Sequence, residues 1–202
     1  DALPIVKTGI ATTAQPGQPD DSSAPSAIAS IRHAVADVIE QRASAVVTNP
    51  IAKSVLYRAG FSHPGHTEFL AERCGVSQVV MMFAGPRLKV ALATVHCALA
   101  DVPTRLTVPR LTGVIELLDA ALRRDFGIAA PRIAVVGLNP HAGEQGLLGC
   151  EEQTVIVPAM AAAQVHGTLV GPWVPDAAFR MALDGHADAV VAMYHDQGLI
   201  PV

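Results

Sequence analysis

The chain has 202 residues, of which 50% are hydrophobic and 16% charged, with a formal net charge of −4. That length suffices for one well-cored domain or two small ones, and the balance excludes a disordered chain and a basic nucleic-acid-binding surface. The 16 Gly and 15 Pro have no short period, which excludes collagen-like and solenoid repeats, and 4% aromatic content leaves the core to Ala, Val, Leu and Ile.

In chain order, one short strand is expected near Leu3 to Lys7, followed by an exposed loop through Gln15-Pro16-Gly17-Gln18-Pro19. Ile28, Ile31, Val35, Val38 and Ile39 then share one face at helical spacing, with Asp20, Asp21 and Ser22 offering oxygens to cap the start. Ala45-Val46-Val47 reads as a short buried strand closed by Thr48-Asn49-Pro50. Pro50 suits the first position of a helix that continues through Ile51, Val55 and Leu56 to Gly60. A further helix is expected from Thr67, as its cap, to Cys74, with Gly75 as the stop.

Gln78 to Ala84 and Leu88 to Val95 are β-rich runs joined by Gly85-Pro86, a hairpin signal. Leu111, Val114, Ile115, Leu118 and Leu122 mark an amphipathic helix ending near Gly127. Arg132 to Leu138 reads as a central strand, Gly143 to Gly149 as a glycine-rich loop, and Glu151 to His166 as an Ala-rich helix. Ala187 to Tyr194 is the last buried strand. Strands alternating with helices predict an α/β fold, and the hairpin predicts a mixed sheet with flanking helices.

The longest apolar runs, Val79 to Ala84 and Ala187 to Tyr194, are too short to cross a bilayer, so no membrane partner is expected. Cys74, Cys97 and Cys150 lack CxxC spacing and read as reduced thiols, which together with the absence of a signal-peptide pattern predicts a cytoplasmic protein. The chain opens on Asp1 and stops at Val202 directly behind an apolar run. We therefore expect a piece of a longer polypeptide, with part of any active site outside it.

Polar clusters follow the expected strands: Thr48-Asn49-Pro50, Thr94-Val95-His96, Leu138 to Glu144, and Tyr194 to Gly198. Open α/β sheets bind ligands beyond the carboxyl ends of their strands. His96, His141 and His195 all fall there. Three imidazoles with an open position suit a catalytic divalent metal. Any one such histidine reads first as a hydrogen-bond partner of a loop backbone, so the metal reading rests on the recurrence at three strand ends. His33, His166 and His186 fall on or beside expected helices and read as solvated or capping residues. His66 and Thr67 sit at a helix start that favours an anion, against the plainer reading of a capping turn. The Gly143 to Gly149 loop matches neither dinucleotide nor P-loop spacing.

The strings TNPIAKSVLYRAGFSHPGHTEFLAE, LKVALATVH, RIAVVGLNPHAGEQGLLGCEE and ADAVVAMYHDQGLIPV resemble the 4-hydroxythreonine-4-phosphate dehydrogenase (PdxA) family, in family order from Ala45 to Val202. The resemblance implies an isocitrate/isopropylmalate dehydrogenase-like fold with two α/β domains. Residues 1–202 would then be the central metal-binding and dimerisation domain, lacking the N- and C-terminal parts. It also implies a homodimer with the active site at the subunit interface. His96, His141 and His195 become metal ligands, and His66 and Thr67 become substrate contacts.

The implied activity is NAD- or NADP-linked oxidation and decarboxylation of 4-phosphooxy-L-threonine to 3-amino-2-oxopropyl phosphate, in vitamin B6 biosynthesis. The implied cofactors are NAD or NADP and a divalent metal. Zinc and cobalt suit neutral imidazoles, and manganese or magnesium suits a site completed by substrate and water. Asp176 and Asp196 are the candidates for the base, or for a partner fixing an imidazole tautomer. Asp196 leans to the latter because adjacent side chains on extended backbone diverge. Lys53 reads as a surface lysine before a catalytic one. The rivals are a relative acting on another phosphorylated hydroxy acid or a cyclic dihydrodiol, a phosphate acyltransferase needing no metal, and a non-catalytic dimerisation fragment.

Overall fold

Helices α1 (Ser23–Ile39), α2 (Lys53–Arg58) and α3 (His66–Cys74) pack around Ile31, Val35, Val55, Leu56, Phe61 and Phe69 in the first of two units. The computed structural model describes residues 5–63 and 65–202 and divides into Asp1–Val79 and Val80–Val202. The α1 start is organised by Asp20, whose carboxylate accepts from the Ser22 N–H at 2.9 Å and hydroxyl at 2.6 Å. Ile31 and Val35 are buried as the periodicity predicts, whereas Ile39 at the last position is exposed. The Phe61 and Phe69 rings meet edge to face at 5.1 Å.

Several expectations for this unit change. Ala45-Val46-Val47 is not a strand: among the described residues no ladder pairs it, and Val47 is 96% exposed. An apolar run without a partner for its backbone groups gains nothing by becoming a strand. Helix α2 starts at Lys53 rather than Pro50, and α3 starts at His66 with extended Gly65 as its cap instead of Thr67. Gly75 ends α3 at φ 66°, the left-handed stop predicted for it. Of the strand expected near Leu3 to Lys7, Leu3 and Pro4 lie outside the described residues and Ile5 to Lys7 form no strand.

The second unit is a five-stranded mixed sheet. Its strands are β1 (Met82–Ala84), β2 (Lys89–Leu92), β3 (Arg132–Val136), β4 (Thr168–Trp173) and β5 (Ala189–Ala192), in the order β1-β2-β5-β3-β4. The β1–β2 hairpin is antiparallel, and β2–β5, β5–β3 and β3–β4 are parallel. Strand β5 is buried along its whole length, as the near-continuous apolar run of a central parallel strand requires.

Short α4 (Val102–Arg105) leads into α5 (Val108–Arg124), which buries Leu111, Val114, Ile115, Leu118 and Leu122. These are the five positions its periodicity selects, each contributing roughly 1.5–3 kcal/mol by burial. Thr107 caps α5 by accepting the Arg110 N–H at 3.4 Å.

The helix expected from Glu151 to His166 is shorter and broken. A wide π turn, Glu152–Ile156, leads into α6 (Val157–Ala162), and the Val157 N–H reaches back to the Glu152 carbonyl. Pro158 has no N–H for an α-helical bond, so the turn widens beside it. Strand β4 and helices α7 (Pro175–Leu183) and α8 (His195–Leu199) carry no clear signal in the local pattern. Gly171-Pro172 inside β4 reads as a turn, and an edge strand is where a sheet tolerates proline. Among the described residues no helix is long and apolar enough to cross a membrane.

Candidate active site

Strands β2, β5 and β3 are neighbours and run parallel, so the chain leaves all three at one edge of the sheet. His96 follows β2, His195 follows β5 and His141 follows β3. The strand order thus brings together the three segments that sequence reasoning singled out.

Pairing between β2 and β5 persists past the strands. The Ala93 N–H donates to the Ala192 carbonyl at 2.8 Å, and the Thr94 N–H donates to Met193 at 3.1 Å. The buried Thr94 hydroxyl donates to the same Met193 carbonyl at 2.7 Å. Just beyond, the His96 and His195 rings lie 5.6 Å apart, tilted by 43°. Phe83 presents an edge to His195 at 6.3 Å.

His195 Nδ1 and Asp196 Oδ1 are 2.8 Å apart. With Nδ1–H donating to the carboxylate, the ring's lone pair resides on Nε2. The expectation that these adjacent side chains diverge fails because the pair opens helix α8 instead of continuing an extended strand.

His141 stands differently. It is exposed, and it begins a left-handed turn in which His141, Ala142, Glu144 and Gln145 have φ of 54°, 52°, 42° and 58°. Left-handed backbone costs a non-glycine residue roughly 1–2 kcal/mol, so such a turn persists only where its surroundings over-determine it. Two side chains fix the chain that leads into this turn. Glu152, 3% exposed, accepts the Leu138 and Asn139 N–H groups on Oε1 at 2.8 and 2.7 Å, and the Asn139 side-chain amide on Oε2 at 3.0 Å. Gln197 donates to the Gly137 carbonyl at 2.9 Å and accepts the Met193 N–H at 2.7 Å. The Asn139 amide also donates to Glu151 at 2.7 Å, which holds the Glu151 carboxyl below the usual carboxylate range.

Sequence reasoning missed Glu152 and Gln197. The available signal was their place beside the motifs, Glu152 in GCEE and Gln197 in YHDQG.

Two recesses border this edge. One, of about 500 Å³, is lined by Asn139, His141, Tyr194, Asp196 and Gln197 among others. The other, of about 260 Å³, is lined by Val95, Cys97, Tyr194, His195 and Asp196 among others. Tyr194 and Asp196 therefore face both. Asp176, in the exposed first turn of α7, lines neither. Among the described residues no group of three or more His, Cys, Asp or Glu is drawn together for a metal. One chain pairs His96 with His195 and leaves His141 outside that pair.

In the first unit, His66 Nε2 is buried with no hydrogen-bond partner among the described residues. Leaving such a group unsatisfied costs about 1–3 kcal/mol, so the atom calls for a ligand. His66 lines a recess of about 340 Å³ together with Ser30, Thr48, Asn49 and Pro50 among others. The Thr48-Asn49-Pro50 cluster is thus part of the His66 surroundings. The Lys53 and Glu68 side chains flank Gly65 at the start of the same helix.

Comparison with protein families matches residues 1–202 to the pyridoxal phosphate biosynthetic protein PdxA. The chain belongs to the PdxA family. It is 56% identical over 207 residues to a 4-hydroxythreonine-4-phosphate dehydrogenase of Bradyrhizobium diazoefficiens, covering 100% of the chain and 60% of that relative. Among solved structures, it resembles the 4-hydroxythreonine-4-phosphate dehydrogenase of Klebsiella pneumoniae with a TM-score of 0.88. That likeness has 41% identity over 94% of the chain and 57% of that protein. A terephthalate 1,2-cis-dihydrodiol dehydrogenase of Burkholderia xenovorans gives a TM-score of 0.71 at 26% identity, over 96% of the chain and 62% of that protein. This PdxA chain spans about 60% of the length of the curated relatives it matches.

Proposed function

We propose that the protein oxidises and decarboxylates 4-phosphooxy-L-threonine to 3-amino-2-oxopropyl phosphate with NAD or NADP, supplying pyridoxal phosphate biosynthesis. The observation that carries this reading is the row of His96, His195 and His141 behind three adjacent parallel strands. Membership of the PdxA family supports it. The chain would form the central metal-binding and dimerisation domain of a cytoplasmic two-domain enzyme similar to isocitrate and isopropylmalate dehydrogenases. Its active site would lie at a homodimer interface.

The donor chemistry suits a divalent ion: His96 and His195 already stand as a pair, and His141 is the third imidazole. When bound, the ion supplies positive charge for the oxygen that turns anionic during oxidation and again during decarboxylation. The chain's own groups do the rest. The Asp196 carboxylate fixes the His195 tautomer and, facing both recesses, is better placed than Asp176 to take the hydroxyl proton. The substrate C–H bond gives its hydride to the nicotinamide, and the resulting β-keto acid loses carbon dioxide, leaving the electron pair on the adjacent carbon, which takes up a proton to give 3-amino-2-oxopropyl phosphate. His66 Nε2 and Thr67 hold the phosphorylated substrate, satisfying the buried ring nitrogen.

The likeness to a dihydrodiol dehydrogenase favours one second reading, oxidation of a cyclic diol. Following reduced nicotinamide with each substrate separates the two. Turnover of 4-phosphooxy-threonine that chelation abolishes and Zn²⁺ restores is the expected result, whereas turnover of a cis-dihydrodiol alone overturns it. His141→Ala should lose bound metal by mass spectrometry while keeping its circular dichroism, because the residue is exposed. Retained stoichiometric metal would remove His141 from the ligand set.

A further inference from the structure

We propose that Glu152 is a positioning residue: its buried carboxylate clamps the left-handed turn that presents His141. The proposal rests on the reading of His141 as a metal ligand and deepens it. Three N–H groups converge on Glu152 from Leu138 and Asn139, the two residues before Pro140-His141. The turn is also packed down on the carboxylate. A Cβ added at Gly143, where φ is +80°, would lie 2.6 Å from Glu152 Oε2, and one at Gly137 would lie 2.8 Å from the Ala142 Cα and 3.0 Å from Glu152 Oε1. Glycine at both places lets the chain close around the charge.

A second buried carboxylate shows what a purely structural role looks like. Asp119, 1% exposed on α5, accepts the His166 and Gly167 N–H groups and the Arg123 guanidinium, away from the histidine-bearing edge. Glu152 instead grips the segment between β3 and His141. A carboxylate can accept on both oxygens at once, and three converging donors need that capacity. Glutamine in its place keeps one acceptor and turns an NH₂ toward a donor.

The test compares Glu152→Gln, Gly143→Ala and Asp119→Asn in the metal-free protein, with His141→Ala as reference. Hydrogen exchange of the 137–149 segment is read first, then Zn²⁺ affinity by competition with a chromogenic chelator. Glu152→Gln should raise exchange in that segment at least tenfold while peptides of α5 and β5 keep wild-type rates. Its Zn²⁺ affinity should fall about 10- to 100-fold, the scale seen when the groups that orient a metal ligand are lost. Gly143→Ala should do the same without altering the carboxylate, which keeps the test decisive if Glu152→Gln fails to fold. Asp119→Asn should lower the melting temperature and leave Zn²⁺ affinity unchanged.

Unchanged exchange in both Glu152→Gln and Gly143→Ala would overturn the clamp. Raised exchange with wild-type Zn²⁺ affinity, while His141→Ala loses metal, would overturn the positioning role. Metal retained by His141→Ala itself would overturn the ligand reading beneath it, a failure seen in that variant alone.

Discussion

Gln197 Nε2 donates to the Gly137 carbonyl at 2.9 Å, across 60 residues of sequence. One side chain thereby ties the segment carrying His195 to the end of the strand that precedes His141. Its Oε1 accepts the Met193 N–H, so both halves of the amide are used. Gln197→Leu should destabilise the protein by about 1–3 kcal/mol, since it strands a donor and an acceptor at the sheet edge. Gln197→Glu keeps the acceptor for Met193 but sets a carboxylate oxygen against the Gly137 carbonyl, so it should also destabilise. Urea unfolding at neutral pH measures both, and equal stability of all three proteins would contradict the assignment.

His66→Ala should weaken binding of the phosphorylated substrate by about 1.5–3 kcal/mol, or roughly 10- to 150-fold, with metal content unchanged. The lone buried Nε2 is the reason. Calorimetric titration with substrate and metal analysis of the same sample check it. Loss of metal with substrate affinity intact would reverse the division of roles between the two units.

Asp188 bridges the beginnings of β3 and β5. Its carboxylate accepts from the Arg132 backbone N–H at 2.8 Å and from the guanidinium at 2.8 and 3.1 Å. The Arg132 contacts hold the Asp188 carboxyl below the usual aspartate range. A carboxyl whose folded pKa is depressed stabilises the fold fully above its unfolded pKa, about 4, and loses that contribution as pH falls through the folded value. The melting-temperature gap between wild type and Asp188→Asn should therefore hold from neutral pH to about 5 and shrink below 4. A gap independent of pH would show that geometry, not charge, is what the pair contributes.

If each active site is completed across a dimer, two defective chains can restore one good site by symmetry. With two ligands from one chain and the third from its partner, co-expressed, differently tagged pairs drawn from His96→Ala, His141→Ala and His195→Ala should include two combinations that regain about half of wild-type activity and metal per dimer, both containing the variant of the partner-donated ligand. The parent homodimers should have none. No recovery in any well-folded mixed dimer would place all three ligands in one chain.

The legible parts of the fold share a property: a local pattern matched the burial it was asked to explain. Helix α5 shows its five core residues at helical spacing, and β3 and β5 are apolar runs that a parallel sheet buries on both faces. Ala45 to Val47 has the same composition as a strand, yet pairing needs a second segment that local sequence does not name. Gly171-Pro172 hides strand β4 from a local pattern, and it is tolerated because, among the described residues, only one edge of β4 is paired. In the site, the three histidines stood out by residue type and position. Thr48-Asn49-Pro50 reads in sequence as a strand end, whereas the fold makes it part of the surroundings of His66.

By itself, the sequence determined which side chains follow the apolar strands, and so which chemistry this protein can bring to a sheet edge. Tertiary structure decided who meets whom. Placing β5 between β2 and β3 puts His195 beside His96, and a left-handed turn keeps His141 out of that pair. Glu152 and Gln197 acquire their roles only there. The Glu152 partners lie 13 and 14 residues away and Gln197 reaches the Gly137 carbonyl across 60, and nothing periodic in a chain encodes a hydrogen bond across such distances. Local spacing reports which face of an element is apolar, whereas the order of parallel strands is set by how all the faces pack at once.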